Sequence, residues 1–355
     1  MSTQAPASAA STASPAARPR RHRATPLSVS IVGGTGLLGH QAALACRQRG
    51  HAVQCIGSSE VAPGCPWPDA ITLRQADVFR MPKRQLARLF VGVDAMVYAV
   101  GPDDRVVPPA PAYDFFHERL VRACARVVAA AREAGVRRTV VLGSYYTHFE
   151  RLWPHKTLAA HHPYIRCRVE QAESAFAEGR GRMSVSVLEL PYIFGVLPGR
   201  EPLWKATLLD RLLRMPVVVY PRGGSAMITA AHVGEAVAGA VERGRDGTSY
   251  AIGDENLSWD EMLQTMFGAL GLQRRIVHLP AFAGGLVGRA ARRADARHGR
   301  ESGLDAEHLF SAVMSDCLYL DADAVARELG YGRGGVREAI VETVRACYPE
   351  RAGAA

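Results

Sequence analysis

The stretch Ser28–Gly50, SVSIVGGTGLLGHQAALACRQRG, decides how the rest of the chain is read. Val29 to Val32 is an apolar run of the length of one buried parallel strand. Gly33, Gly36 and Gly39 follow at three-residue spacing, and a helical pattern then runs to Gly50, a residue suited to closing a helix. Strand, glycine turn and helix in this order form a dinucleotide-binding signature. Gly33 permits a tight turn with unusual backbone angles. Gly36 leaves room for a pyrophosphate against the backbone, and Gly39 lets the helix pack close to the strand. The first N–H groups of the helix and its positive dipole end are offered to the phosphates. A glycine turn without a ligand is the weaker reading, because both the strand and the helix are present.

Composition narrows the classes. The chain has 355 residues, 48% of them hydrophobic, enough for a sizeable core. No apolar run reaches the roughly 18 residues of a membrane span. The formal charge is +9; of 43 basic residues only Lys83, Lys156 and Lys205 are lysines, which leaves 40 arginines. They are scattered, except in the tail (Arg18, Arg20, Arg21, Arg23) and around Arg289 to Arg300. A solvated face or an anionic cofactor explains them better than nucleic acid does. Seven cysteines form no C-x-x-C pair, which fits reduced thiols in a cytoplasmic protein without a metal site. Arg20-Arg21 hints at export, but the apolar run that follows is better used as the first strand.

The spacing G-x-x-G-x-x-G, in place of G-x-G-x-x-G, resembles the extended short-chain dehydrogenase/reductase superfamily, which includes nucleotide-sugar epimerases and 3β-hydroxysteroid-dehydrogenase-like reductases. The resemblance runs over about residues 28–348. It implies an α/β fold: a doubly wound parallel sheet (Rossmann) with a smaller, mainly C-terminal substrate-binding domain. The expected division is a disordered tail over 1–26, a dinucleotide-binding domain over 27–195, and a substrate domain over 196–355, with 227–254 returning to the core.

The family's landmarks follow in chain order. His51 to Ile56 reads as the second strand, where NAD-preferring relatives end on an acidic residue that binds the adenosine ribose. Gly57 stands there, followed by Ser58 and Ser59, whose hydroxyls suit a 2′-phosphate. The reading leans to NADP over NAD, with Glu60 as the counter-argument. After a third strand, Ile71 to Ala76, Asp77-Val78 resembles the pair that borders the adenine; a plain loop aspartate is the alternative. Lys83 to Phe90 reads as a helix and Asp94 to Val100 as the fourth strand, with Gly101 where the chain passes the cofactor. The cofactor set is therefore Gly33, Thr35, Gly36, Leu37, Leu38, Gly39, Ser58, Ser59, Asp77, Val78, Val100, Gly101, Pro191 and Ile193. Pro191 to Gly195 resembles the turn whose backbone meets the nicotinamide carboxamide. The 102–111 loop is either a wall of the substrate mouth or a mobile surface loop. Tyr113 to Ala134 reads as a long helix, with Leu120 where relatives carry Asn.

Arg138 to Gly143 reads as the fifth strand, and Ser144 just beyond it matches the family's catalytic serine. Tyr145, Tyr146, His148 and Trp204 are expected to face substrate. In PYIRCRVEQAESAF, Tyr164 stands at the family's tyrosine and Arg168 where lysine is usual. Trp204 to Met215 and Ser258 to Leu270 read as helices, the latter capped by Ser258 with Glu261. His232 replaces the second aspartate of a V-D-D-v-A segment. In this family the tyrosine moves a proton while nicotinamide moves hydride at the same carbon. A free tyrosine, with pKa ~10, needs a nearby cation to act as a base at neutral pH. Arg168, one turn from Tyr164, would supply that charge, and Ser144 would orient the substrate oxygen. The implied function is an NAD(P)-dependent oxidoreductase or epimerase acting on a carbonyl or secondary alcohol of a small molecule. The alternative is a non-catalytic NAD(P)-binding redox sensor of the same fold. Relatives often dimerise through the helices at 113–134 and 164–178, so the resemblance allows a homodimer, while the residues themselves leave the oligomeric state open.

Overall fold

The computed structural model describes residues 25–278 and 280–352. The expected tail thus falls almost wholly outside the described residues. The strands in chain order are β1 (Ser28–Val32), β2 (Ala52–Gly57), β3 (Ile71–Gln75), β4 (Ala95–Tyr98), β5 (Arg138–Ser144), β6 (Ser184–Leu190), β7 (Tyr192–Phe194), β8 (Val217–Tyr220), β9 (Gly224–Thr229), β10 (Thr248–Ala251), β11 (Glu255–Ser258), β12 (Arg275–His278) and β13 (Cys317–Leu318).

Seven of them form the main sheet, in the order β10-β6-β5-β4-β1-β2-β3, and every neighbouring pair is parallel. Alternate residues feed the two faces. Val29 and Ile31 enter one buried cluster with Val140 and Leu142, while Val32 joins Met96, Val141 and Val187 on the other side. Both faces are apolar, so the sheet needs helices on both. On the first face lie α1 (Leu37–Gln48) and the helix Ala230–Arg243; on the second lie Lys83–Leu89, the helix over 112–133, and Pro163–Gly179. This is the doubly wound α/β architecture. Because all the strands run one way, their carboxyl ends share one edge. The glycine turn after β1, Ser58 after β2, Asp77 after β3, Gly101 after β4, Ser144 closing β5 and Pro191 after β6 all come to that edge, where open parallel sheets bind ligands.

Several expectations change in detail. The 112–133 helix contains one π turn, His117–Arg122, which holds the fully buried Leu120. A Cβ on Gly101 would come within 2.7 Å of Leu120 Cδ2. Leu120 is therefore a packing residue beneath the β4 exit, which explains an apolar side chain where an amide was expected. The Pro191–Gly195 segment is not a free turn: Tyr192–Phe194 is β7, paired with β9 in a second sheet with β11 and β13. That sheet packs against a cluster of Trp259, Met262, Phe267, Ile340 and Val344. The helix expected over Trp204 to Met215 shrinks to 205–212 and begins with a π turn. The V-D-D-v-A-like segment around His232 divides into the end of β9 and the helix from Ala230. Ser258 caps Trp259–Gly268 as a full capping box: its Oγ accepts from Glu261 N at 3.2 Å, and Glu261 Oε2 accepts from Ser258 N at 2.9 Å.

Candidate active site

At the glycine turn, the backbone does the work. Gly33 has φ +92°, and a Cβ there would lie 2.5 Å from Ala99 O and 2.6 Å from Val100 Cγ1. A Cβ on Gly39 would lie 2.1 Å from Gly33 O. The fold itself demands glycine at both positions. Gly36 differs: its Cβ would meet only Gly33 O, at an ordinary 3.4 Å. No packing within the protein requires glycine there. Gly36 is the N-cap of α1, no side chain caps that end, and no acidic residue lies in the first turn. The N–H groups of Leu37, Leu38 and Gly39 open the helix with no intrahelical acceptor. The cradle thus pairs positive backbone groups with a surface left bare of side chain, which fits a pyrophosphate.

Along the same edge, Thr35 Oγ1 lies 3.2 Å from Ser59 Oγ, and Ser58 is exposed beside them. Gly57 has a steric reason for its identity, since a Cβ there would lie 2.6 Å from Thr35 Oγ1. Asp77 accepts from Phe79 N at 3.0 Å and stays partly exposed beside the buried Val78. Ile193 is tied into the second sheet, its carbonyl accepting from Trp204 Nε1 at 2.9 Å.

The other half of the site is made of side chains. Arg168, buried, donates from Nε to the Tyr164 hydroxyl at 2.9 Å, and from Nη1 to Leu142 O at 3.2 Å and Gln171 Oε1 at 2.8 Å. The guanidinium therefore ties the Tyr164 helix to β5 two residues before Ser144. A lysine could not reproduce this fork. Tyr164 is buried beneath Gly303, whose carbonyl accepts from Tyr164 N at 2.8 Å, with the Phe116 ring edge-on at 5.3 Å. The expected downward pull of Arg168 on the phenol is present but outweighed. Burial, aided by the charges of Asp104 and Asp103, pushes Tyr164 up to about 12 against the opposing pull of Arg168. Ser144 is buried as well; its Oγ is 3.4 Å from Tyr146 N, and its carbonyl accepts from Thr147 Oγ1 at 2.7 Å.

Beside this cluster opens a cleft of about 440 Å³ lined by Asp104, Arg105, Tyr146, Tyr192, Thr207 and Ser302, among others. Only Tyr146 of the four expected side chains lines it. Tyr145 is in the core, its hydroxyl 2.9 Å from Ser225 Oγ. Trp204 is buried, stacked on Phe194 at 4.6 Å. His148 packs edge-on against Phe149 instead. The 102–111 loop does form a wall, and it is tied down: Ala110 N donates to Gly299 O at 2.9 Å, and Glu301 N to Pro108 O at 3.1 Å. Arg105 grips Asp103 with two bonds of 2.7 and 2.9 Å and lies 4.4 Å over the Trp204 ring. Burial and the adjacent Asp103 charge push Asp104 up to about 7. The sequence reading missed Asp104 and the 302–304 segment. The Asp-Asp-Arg run at 103–105 was the visible signal for the first; nothing local marked the second.

His232 takes up a structural post. Its Nδ1 lies 2.8 Å from the buried Asp254 Oδ2, which also accepts from Thr229 N at 2.9 Å. That bond raises the imidazole above its ordinary value.

Known proteins share the fold that carries this site. Residues 33–178 match a family model described as NAD(P)H-binding. A search of curated protein sequences gives no significant match. Among solved structures, a nucleoside-diphosphate-sugar epimerase from Pseudomonas aeruginosa is 22% identical with a TM-score of 0.64, covering 91% of this chain and 98% of its own. The dTDP-glucose 4,6-dehydratase DesIV from Streptomyces venezuelae, solved with NAD bound, is 20% identical with a TM-score of 0.63, over 92% and 98%. MoeE5, solved with UDP-glucuronic acid and NAD, is 17% identical with a TM-score of 0.62, over 91% and 99%. Residues 33–178 thus resemble an NAD(P)H-binding domain, in a chain that shares the fold of these epimerase and dehydratase structures.

Proposed function

We infer that this protein is an NAD(P)-dependent oxidoreductase or epimerase acting at a carbonyl or secondary alcohol of a small molecule, with Tyr164 as the proton-transferring residue. One observation carries the reading: the Tyr164 hydroxyl, held by Arg168 Nε at 2.9 Å, belongs to the cluster beside a cleft on the same sheet edge as the glycine cradle. Gly33, Thr35, Gly36, Leu37, Leu38 and Gly39 would hold the pyrophosphate. Ser58, Ser59, Asp77 and Val78 would take the adenosine half, and Val100, Gly101, Pro191 and Ile193 the nicotinamide half. A bound nicotinamide would supply or accept the hydride. Ser144 would orient the substrate oxygen, and Arg168 positions the phenol.

The direction of shift at Tyr164 favours one role. A phenol held at about 12 is protonated at neutral pH, so it serves more readily as proton donor to a carbonyl than as a base toward an alcohol. Through Tyr164 alone, reduction should show little pH dependence between about 6 and 9, a change near 7 marking the titration of Asp104 in the cleft wall, and oxidation should accelerate as pH rises. The cleft's mixture of Tyr146, Tyr192 and Leu309 with Asp104, Arg105 and Ser302 suits a hydrophobic ketone as well as a nucleotide sugar. Gly57 and the serines after it support NADP over NAD. Seven free cysteines, most of them buried, suit a cytoplasmic setting, and no helix among the described residues is long and apolar enough to cross a membrane. The 112–133 and Pro163–Gly179 helices are the proposed dimer face.

The same raised phenol, with every bond of Arg168 turned inward, favours a second reading: a sensor that binds the dinucleotide without turning it over. The test is a screen of ketones and nucleotide sugars for cofactor oxidation, with Tyr164→Phe as control. An enzyme loses at least ~100-fold in turnover while cofactor affinity stays within about twofold. Full activity in Tyr164→Phe would refute the assignment; no turnover with any substrate, together with intact cofactor binding, would favour the sensor.

A further inference from the structure

At the end of β2, beside the serines already assigned to the cofactor, stands one residue that the cofactor reading left out, Arg200. In this fold the adenosine ribose lies at the carboxyl end of the second strand. Arg200, 141 residues further along the chain than Ser59, reaches back to this point and donates from Nη2 to Ser59 Oγ at 2.9 Å. Ser59 Oγ is in turn 3.2 Å from Thr35 Oγ1. The loop carrying Arg200 is seated on the β2–β3 connection. Gly199 has φ +76°, and a Cβ on it would lie 1.9 Å from Pro63 O, so the two loops touch across the edge of the sheet.

The chemistry of the spot is one-sided. Arg105, Arg151, Arg166 and Arg289 each grip a carboxylate. Arg200 is exposed, and among the described residues its side-chain bond is to a neutral hydroxyl. The adjacent Glu201 is taken by Lys205. Meanwhile Thr35 occupies the space in which a side chain at position 57 would begin. A carboxylate at position 57 would have to displace the Thr35 side chain, which leaves the exposed Glu60 as the acidic residue of this strand end, beside a guanidinium and hydroxyls that suit a dianion. A planar guanidinium matches a phosphate monoester with paired bonds, and charge-assisted bonds of this kind are among the strongest.

We propose that Arg200 and Ser59 form the seat of the NADP 2′-phosphate, the cation coming from the loop after β7 rather than from the β2 loop itself. The proposal rests on the dinucleotide reading above and makes Arg200 the specificity-determining residue for the cofactor. It also makes the 2′-phosphate a tie between the 196–203 loop and the strand ends. The experiment is calorimetric titration with 2′,5′-ADP and with 5′-AMP, which differ by that phosphate and need no turnover. The intact protein should bind 2′,5′-ADP at least about tenfold more tightly than 5′-AMP. Arg200→Gln should remove that difference and leave 5′-AMP binding unchanged, and Arg200→Lys should restore part of it. Loss of both nucleotides alike in Arg200→Gln, or unchanged 2′,5′-ADP affinity, would overturn the proposal. Equal binding of the two nucleotides by the intact protein would overturn the role of Arg200 and leave the dinucleotide site standing. Binding of neither would remove both.

Discussion

The glycine cradle and the Tyr164–Arg168 cluster lie on one edge of one sheet, yet they are built by different means. In the cradle the decisive groups are backbone: a left-handed Gly33, a bare Gly36, and the opening N–H groups of α1. All of them come from a single run of residues. In the cluster the decisive groups are side chains whose behaviour is set by residues far away in sequence. The Tyr164 phenol is raised first by burial, with Gly303 over it, then by Asp104 and Asp103, and is opposed by Arg168. A backbone site carries its instructions locally. A side-chain site takes its acidity from whatever the fold packs around it.

That contrast can be broken first within the cradle. Gly39→Ala puts a methyl 2.1 Å from the Gly33 carbonyl and should cost roughly 3 to 5 kcal/mol. Gly36→Ala meets only an ordinary contact at 3.4 Å and should cost no more than about 1 kcal/mol, the loss of a favourable N-cap residue. Denaturant unfolding of the two variants measures the difference. Equal destabilisation would mean that Gly36, too, is kept for packing rather than for a ligand.

The second prediction concerns the cluster alone. His162 precedes the Tyr164 helix and is buried; its Nδ1 accepts from Asp305 N at 2.9 Å. Burial, then the nearby His308 and His161, push the imidazole down to about 4 against the pull of Asp305. Between about pH 6.5 and 4 the unfolded chain therefore binds a proton that the folded protein refuses. Stability contributed by this site should fall as pH drops through that window, by on the order of 3 kcal/mol in all. His162→Asn keeps an acceptor and cannot titrate, so its stability should be correspondingly flatter below pH 6.5. Urea unfolding at pH 7 and pH 4.5 reads the slope, and parallel slopes for the two proteins would contradict the account.

What was legible in the sequence follows the same line. The strands at 28–32 and 138–144 showed as apolar runs because both faces of a parallel sheet are covered. The Ser258–Glu261 capping box was readable because it lies within four residues. The second sheet was not: β7, β11 and β13 are two to four residues long and gain their order from pairing with β9. Their alternation is too short to see. Tyr164 and Arg168 were found by position, but their electrostatics were misjudged, because the Asp103–Asp104 loop and the 302–304 segment meet them only in three dimensions. Trp204 and Tyr145 were assigned to the cleft because aromatics near a site draw attention, yet each has its polar atom bonded inside the core.

Dinucleotide binding at the cradle is the claim on which the rest depends, and Gly36→Asp tests it with least ambiguity. Aspartate is a better N-cap than glycine, and its charge suits a helix N-terminus, so folding should be unharmed or improved by a few tenths of a kcal/mol. The same carboxylate would stand where the pyrophosphate lies. Titration with NADPH and NADH, followed by nicotinamide fluorescence, should show binding to the intact protein and none to a Gly36→Asp variant whose melting temperature is equal or higher. Failure of the intact protein to bind either nucleotide at millimolar concentration, or undiminished binding by the variant, would contradict the account.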